Sequence, residues 1–202
     1  MSNTIYYLHG FASSSLSEKA QQTVAYFQQQ QPQLDLVALD LPYTPAEAMH
    51  LLEQKIAEAP PLAFNGSSLG GFLATVLVER FGGRACLINP AVAPHSLLAD
   101  YLGDYHHPVL QRSYQVRAEH MQQLAALMPA QLRQPQNYLV LLQSGDEVLD
   151  YRHAQTYYQG AQQQLVAGGD HSFVGYADYL PQIAEFCQQA DVNKLAWPEQ
   201  RI

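Results

Sequence analysis

A serine hydroxyl attacks a carbonyl only when a base removes its proton, and the base works only when a third group holds its ring in the right tautomer. The chain offers such a set in three separate places. Gly66-Ser67-Ser68-Leu69-Gly70-Gly71 has the form G-x-S-x-G with Ser68 at its centre. The apolar run Leu62-Ala63-Phe64 precedes it and a helical pattern from Leu69 to Phe81 follows; this is the strand–turn–helix setting of a nucleophile elbow. The residues two before and two after the serine must be small to let strand and helix pass closely, and both are glycine. The start of the following helix adds partial positive charge where an oxyanion would form.

Two further loops supply the partners. Ser144-Gly145-Asp146-Glu147-Val148 follows the apolar run Tyr138–Gln143, and Gly168-Gly169-Asp170-His171-Ser172-Phe173 follows a short run at Gln164–Val166. Ser…Asp…His is the chain order of the triad in an α/β-hydrolase fold. The spacing therefore predicts Ser68 as nucleophile, His171 as base and Asp146 as the group that orients the base. Glu147, Asp150 and Asp170 compete for the last role. Asp146 is preferred because it comes first after the strand, where the sheet fixes its position; Asp150 reads as an N-cap for the helix starting at Tyr151, and Asp170 as a loop-stabilising or solvated carboxylate. The first strand runs into Tyr7-Leu8-His9-Gly10-Phe11. In this fold the loop after that strand gives one oxyanion N–H and the residue after the nucleophile gives the other, which points to the backbone of Phe11 and Leu69. The Phe11 side chain either walls the acyl pocket or packs. His9 is expected to hydrogen-bond its own loop and hold Gly10 and Phe11 in place.

These loops need a scaffold, and the chain alternates short apolar runs with longer amphipathic ones. Strands are expected at Thr4–Leu8, Leu34–Leu39, Leu62–Asn65, Ala85–Asn89, Tyr138–Gln143 and Gln164–Val166. Helices are expected from Ser17 to about Gln31, Pro45 to about Glu58, Leu69 to Phe81, Tyr151 to Gln159 and Ala177 to Gln189, with Ser17 as an N-cap, Pro45 in a first turn and Gly82-Gly83 as a stop. Short strands, apolar on both sides and separated by helices, make a parallel sheet covered on both faces. The expected architecture is α/β: a compact α/β-hydrolase fold, one domain over residues 1–202. Between Asn89 and Tyr138 lie about 48 residues, far more than one crossover helix needs. This stretch, about 91–136, reads as a small helical cap inserted above one edge of the sheet; a long crossover with an extra packing helix is the alternative.

Composition narrows the partners. The 202 residues carry 18 acidic and 10 basic side chains, a formal charge of −8; an acidic surface repels phosphate backbones and anionic lipid heads, so neither nucleic acid nor a membrane surface is an expected partner. Cys86 and Cys187 form no CxxC pair and read as reduced core thiols. No signal peptide or membrane span is evident, and a soluble cytoplasmic protein is the expectation. His50, His95, His106, His107, His120 and His153 show no metal-ligand spacing and read as surface or cap residues. No metal and no nucleotide or other organic cofactor is expected. The residues from Asp191 onward have no pattern and either dock through Trp197 or fray.

Taken together, Leu8-His9-Gly10-Phe11, the Gly66–Gly71 run, Gly145-Asp146-Glu147-Val148-Leu149-Asp150-Tyr151 and Gly169-Asp170-His171-Ser172-Phe173 resemble the small bacterial YqiA-like esterases, a branch of the α/β-hydrolases. The resemblance covers nearly the whole chain and is weakest in the cap. It implies hydrolysis of carboxylic esters, with acyl-CoA thioesters among the candidates, and its catalytic serine, aspartate and histidine fall on Ser68, Asp146 and His171. The same triad could instead serve a peptidase or a carbon–carbon bond lyase acting on an acidic metabolite. Arg112, Arg117 and Arg133 would then grip a carboxylate, unless they are merely solvated surface residues. A binding module that keeps the fold without the chemistry is the rival from another class.

Overall fold

A computed structural model describes residues 3–107 and 111–189; Trp197 and the rest of the segment from Asp191 onward lie outside the described residues. In chain order the elements are β1 (Thr4–Leu8), α1 (Glu18–Gln30), β2 (Asp35–Leu39), α2 (Pro45–Glu58), β3 (Ala63–Ser67), α3 (Leu69–Phe81) and β4 (Ala85–Ile88). There follow α4 (Pro94–Leu97), β5 (Gly103–His107), β6 (Arg112–Val116), α5 (Ala118–Leu127), β7 (Tyr138–Gln143), α6 (Tyr151–Tyr157), β8 (Gln162–Val166) and α7 (Leu180–Gln188). Six strands form one sheet in the order β2-β1-β3-β4-β7-β8, and each neighbouring pair is parallel. Among the described residues no helix is long and apolar enough to cross a membrane.

Alternation along each strand sends side chains to two cores. Tyr6, Leu8, Phe64, Leu87 and Val140 pack beneath α2, α3 and α6. Ile5, Ala63, Cys86, Leu139 and Leu141 pack on the other face against Phe27 of α1 and Ile183, Ala184 and Cys187 of α7. Both cysteines are free and buried, and burial pushes each thiol up, Cys187 to about 12. Local signals act as expected at two helix starts. Thr44 accepts from the Glu47 N–H at 3.3 Å, capping the helix ahead of Pro45, and its hydroxyl donates to the Glu47 carboxylate at 2.6 Å. Asp150 accepts from the Arg152 N–H at 3.0 Å and caps α6. Ser17 occupies the cap position of α1, but its side chain makes no capping bond. The last helix begins later than the periodicity suggested, because Tyr176–Tyr179 form a 3-10 turn ahead of α7.

The insertion after β4 is not purely helical. Besides α4 and α5 it holds an antiparallel hairpin, β5 with β6, in which Tyr105 faces Tyr114 and His107 faces Arg112. The hairpin strands alternate in exposure: Asp104, His106, Ser113 and Gln115 bond one another on the outer face, while Tyr105, His107 and Tyr114 turn inward. A period of two over so few residues, rich in His and Tyr, gives little apolar contrast to read.

The tightest packing lies where α3 leaves β3. A Cβ on Gly70 would collide with the backbone carbonyl of Leu8, and one on Gly66 would come within 2.8 Å of the Gly71 Cα. Backbone cannot yield there as a flexible side chain can. Gly70→Ala is expected to cost about 3 kcal/mol, the upper end of overpacking penalties, read as a lower urea midpoint; a change under about 0.5 kcal/mol would contradict this packing.

Candidate active site

Ser68 sits in the turn between β3 and α3 with φ 55° and ψ −120°. A non-glycine residue holds that backbone only when its surroundings enforce it. Here the Ser68 N–H donates to the Ile88 carbonyl at 3.0 Å, and its own carbonyl accepts from Gly71, Phe72 and Ala91 at 3.0–3.2 Å. The side chain, at the head of α3, is only partly buried.

Asp146 and His171 meet directly. The His171 Nδ1 lies 2.9 and 3.0 Å from the two carboxylate oxygens of Asp146. The Asp146 side chain is 1% exposed and that of His171 25%. The carboxylate also accepts the Val148 and Leu149 N–H groups at 2.9 and 2.8 Å, so its charge is satisfied without a cation. A carboxylate only accepts; Nδ1 must therefore carry a proton, and in the neutral ring the free lone pair is on Nε2. Of the competitors, Asp150 caps α6, Glu147 accepts the His171 backbone N–H at 3.0 Å, and Asp170 has one buried oxygen without a hydrogen-bond partner.

Two buried amides that sequence reasoning missed hold the histidine loop. Gln143, at the end of β7, accepts the Asp170 and Val174 N–H groups at 3.0 and 2.9 Å and donates to the Val174 carbonyl at 2.7 Å. Asn89, just past β4, accepts the Gln143 N–H at 2.9 Å and donates to the Asp170 and His171 carbonyls at 3.1 and 3.4 Å. Because Ser68 bonds to Ile88 and its neighbour Asn89 bonds to His171, the histidine loop is brought to the strand end that carries Ser68. No hydrogen bond joins Ser68 Oγ to His171 in the described structure; in unliganded sites such bonds are commonly long. The available signal was a lone polar residue ending each of two apolar strands. Lys19 of α1 adds a bond to the Ser172 carbonyl at 2.9 Å, and burial lowers its pKa.

The opposite wall is the loop after β1. His9 accepts the Leu41 N–H on Nε2 at 3.0 Å, so Nδ1 is protonated and donates to the Gly10 carbonyl at 2.9 Å. It pins the loop to the end of β2, the structural role expected of it. Burial lowers its pKa. A Cβ on Gly10 would lie 3.1 Å from Ser68 Cβ, so this loop passes directly beside the serine. The N–H groups of Phe11 and Leu69 have no other acceptor among the described residues. The Phe11 ring lies 5.6–6.4 Å from Tyr101, Tyr105 and Tyr114 of the insertion, and the His107 Nε2 donates to the Ser13 carbonyl at 3.1 Å. His107 and His120, read as surface or cap residues, both lie in the insertion and are buried there, 3% and 5% exposed; His120 accepts the Arg117 N–H in the cap of α5. Of the three arginines considered for the insertion, Arg117 pairs with Glu119 and Arg133 with Glu79.

Between this loop, α2 and the insertion is a cavity of about 410 Å³. Leu69, Leu73, Ala48 and Leu124 line its apolar part, and Phe11 walls it as well as packing.

The sheet order, the tight turn at Ser68 and the acid and histidine loops define an α/β-hydrolase fold. Est1E from Butyrivibrio proteoclasticus is similar at a TM-score of 0.68 and 13% identity, covering 93% of this chain and 87% of its own. Mouse alpha/beta hydrolase domain-containing protein 10 gives 0.68 at 13%, covering 92% and 89%, and the esterase domain of a Rhodothermus marinus protein 0.64 at 17%, covering 92% and 86%. Residues 4–188 match the family described as Uncharacterised protein family UPF0227, and the chain belongs to that family.

Two outcomes test the scaffold of the site. Gln143→Leu leaves three backbone groups of the histidine loop unpaired and should cost about 3 kcal/mol in urea unfolding; a neutral result would remove Gln143 from this role. His9 has its folded-state pKa below that of an unfolded histidine, about 6.5. Its contribution to stability is therefore complete above that pH and declines as the pH falls through and below it, because the unfolded chain takes the proton first. Between pH 7.5 and 5.5, wild type should lose more stability than His9→Gln; equal losses would contradict the buried neutral ring.

Proposed function

We propose that the protein is a serine esterase working through an acyl-enzyme on Ser68. The observation that carries this reading is the Asp146–His171 pair, with Nδ1 committed to the carboxylate, in a loop anchored to the strand end beside the strained Ser68 turn. The fold shared with Est1E and with the Rhodothermus marinus esterase domain is consistent with it.

The steps follow from the site. Ser68 Oγ attacks the ester carbonyl as its proton passes to His171 Nε2. Asp146 stabilises the resulting imidazolium and keeps its orientation. The oxyanion accepts from the N–H groups of Phe11 and Leu69, the latter at the positive end of α3. His171 gives the proton to the departing alkoxide or thiolate, leaving Ser68 acylated. Water then attacks the acyl group, again losing its proton to His171, and the acid departs as the proton returns to Ser68. The chemistry calls for no metal or organic cofactor. The substrate is a small-molecule ester or thioester. The acidic surface disfavours nucleic acid and membrane partners, and two free buried thiols fit a reducing, cytoplasmic setting.

Saturable hydrolysis of p-nitrophenyl acetate and its longer-chain homologues is expected. Ser68→Ala should lower kcat by about 10⁴-fold or more. Undiminished hydrolysis by a folded Ser68→Ala protein would overturn the assignment.

A further inference from the structure

Among the described residues, five of the six arginines have partners. Arg80 pairs with Glu53, Arg117 with Glu119, Arg133 with Glu79 and Arg152 with Asp150, while Arg84 lies 4.5 Å from the Phe186 ring centroid and donates to the Phe186 carbonyl. Arg112 is different. Among the described residues it makes no hydrogen bond or ion pair, and it lines the cavity that Gly10 and Leu69, the neighbours of Ser68, also line. Its position on β6 explains the direction of its side chain. Residues two apart on a strand share a face, and Arg112 shares one with Tyr114, which also lines the cavity. Asp104, a hairpin carboxylate that could have neutralised it, accepts from Gln115 on the opposite face of the hairpin.

Asp40 is the one carboxylate among the residues that line the cavity. Its Oδ1 is taken by the Ser15 N–H at 2.8 Å, and that bond, with a smaller contribution from Arg112, holds its pKa low. Asp40 and Arg112 attract one another, yet they do not close an ion pair. A guanidinium still reached by water, on the wall of a chamber that Phe11, Tyr43, Tyr114, Leu69 and Leu73 also line, is a ready two-pronged site for a carboxylate. The Asp40 charge beside it discriminates against a dianionic phosphate by like-charge repulsion.

We propose that the natural substrates are esters or thioesters whose cavity-bound part is an apolar segment ending in a free carboxylate, and that Arg112 is the specificity residue that reads it. The segment lies over Leu69, Leu73 and Ala48, its free end reaching the hairpin while the ester carbonyl stays at Ser68. A cavity of about 410 Å³ is at the small end for ligand sites, about 300–1,000 Å³, and suits a short chain with a fixed end group. This inference rests on the esterase reading of Ser68.

The test compares 4-nitrophenyl hydrogen adipate, which carries the terminal carboxylate, with 4-nitrophenyl hexanoate, which has the same chain length without it. Wild type should favour the adipate in kcat/KM by about tenfold, and Arg112→Gln should bring the ratio to near one, with Arg112→Lys between. A wild-type ratio of one or less, or a preference unchanged in Arg112→Gln, would overturn the proposal. Calorimetric binding of monomethyl adipate and methyl hexanoate to Ser68→Ala keeps the two readings apart. If neither nitrophenyl ester is cleaved, the esterase reading fails. Arg112-dependent preference for monomethyl adipate then still supports the carboxylate site, and equal affinities, or a preference that persists in Ser68→Ala/Arg112→Gln, overturn it.

Discussion

Close approach of α3 to the ends of β1 and β3 is the constraint on which the rest depends. The first turn of the helix lies against the Leu8 carbonyl, and only glycine at positions 66 and 70 allows it. That contact fixes the depth at which the chain must reverse, and the reversal forces Ser68 to φ 55°. Such a backbone costs about 1–3 kcal/mol, offset by four backbone hydrogen bonds to the residue and by the wholly buried stretch of α3 behind it. The same contact sets Gly10 beside Ser68 and leaves the Leu69 N–H without an acceptor. A larger residue at position 70 would move the helix, and with it every relation between the serine and its neighbours.

The acid and histidine loops rely on a different device. Packing anchors them at Leu149 and Phe173, and hydrogen bonds from buried amides fix the glycine-rich backbone around those points. Gln143 and Asn89 each end a strand and each bridge to the histidine loop. The Gly145 N–H donates to the Gly168 carbonyl at 2.8 Å, tying the two loops together. Left unpaired in the interior, these amides would cost about 1–3 kcal/mol per group. Their mutual satisfaction makes the loop geometry specific, because few alternative conformations could pair all of them.

This division explains what the sequence disclosed. The parallel sheet was legible from apolar runs, and the loops that carry Ser68, Asp146 and His171 were marked by their glycines and chain order. Asp146 and His171 are in contact as expected. Gln143 and Asn89 were not legible: a single amide beside an apolar run has no periodic or motif signal, and its value lies wholly in tertiary partners. The hairpin in the insertion was hidden for a related reason. Its two strands bury only alternate residues, and apart from Val116 the large ones are Tyr and His, whose polar tips blur the contrast that periodicity needs. The burial of His107 follows from that hairpin and from nothing local.

The insertion and the nucleophile region are not independent parts. Phe11 belongs to both: its ring packs among Tyr101, Tyr105 and Tyr114 of the insertion, and its backbone N–H is the proposed oxyanion donor. Each such ring pair contributes about 0.5–1.5 kcal/mol beyond the area it buries, and the His107–Ser13 bond adds a second tie. A donor that stabilises developing charge must sit within a few tenths of an ångström of its place, so the aromatic cluster is part of what sets that place. The wall that shapes the cavity therefore also holds the proposed oxyanion site, and a change in the hairpin alters substrate fit and charge stabilisation together.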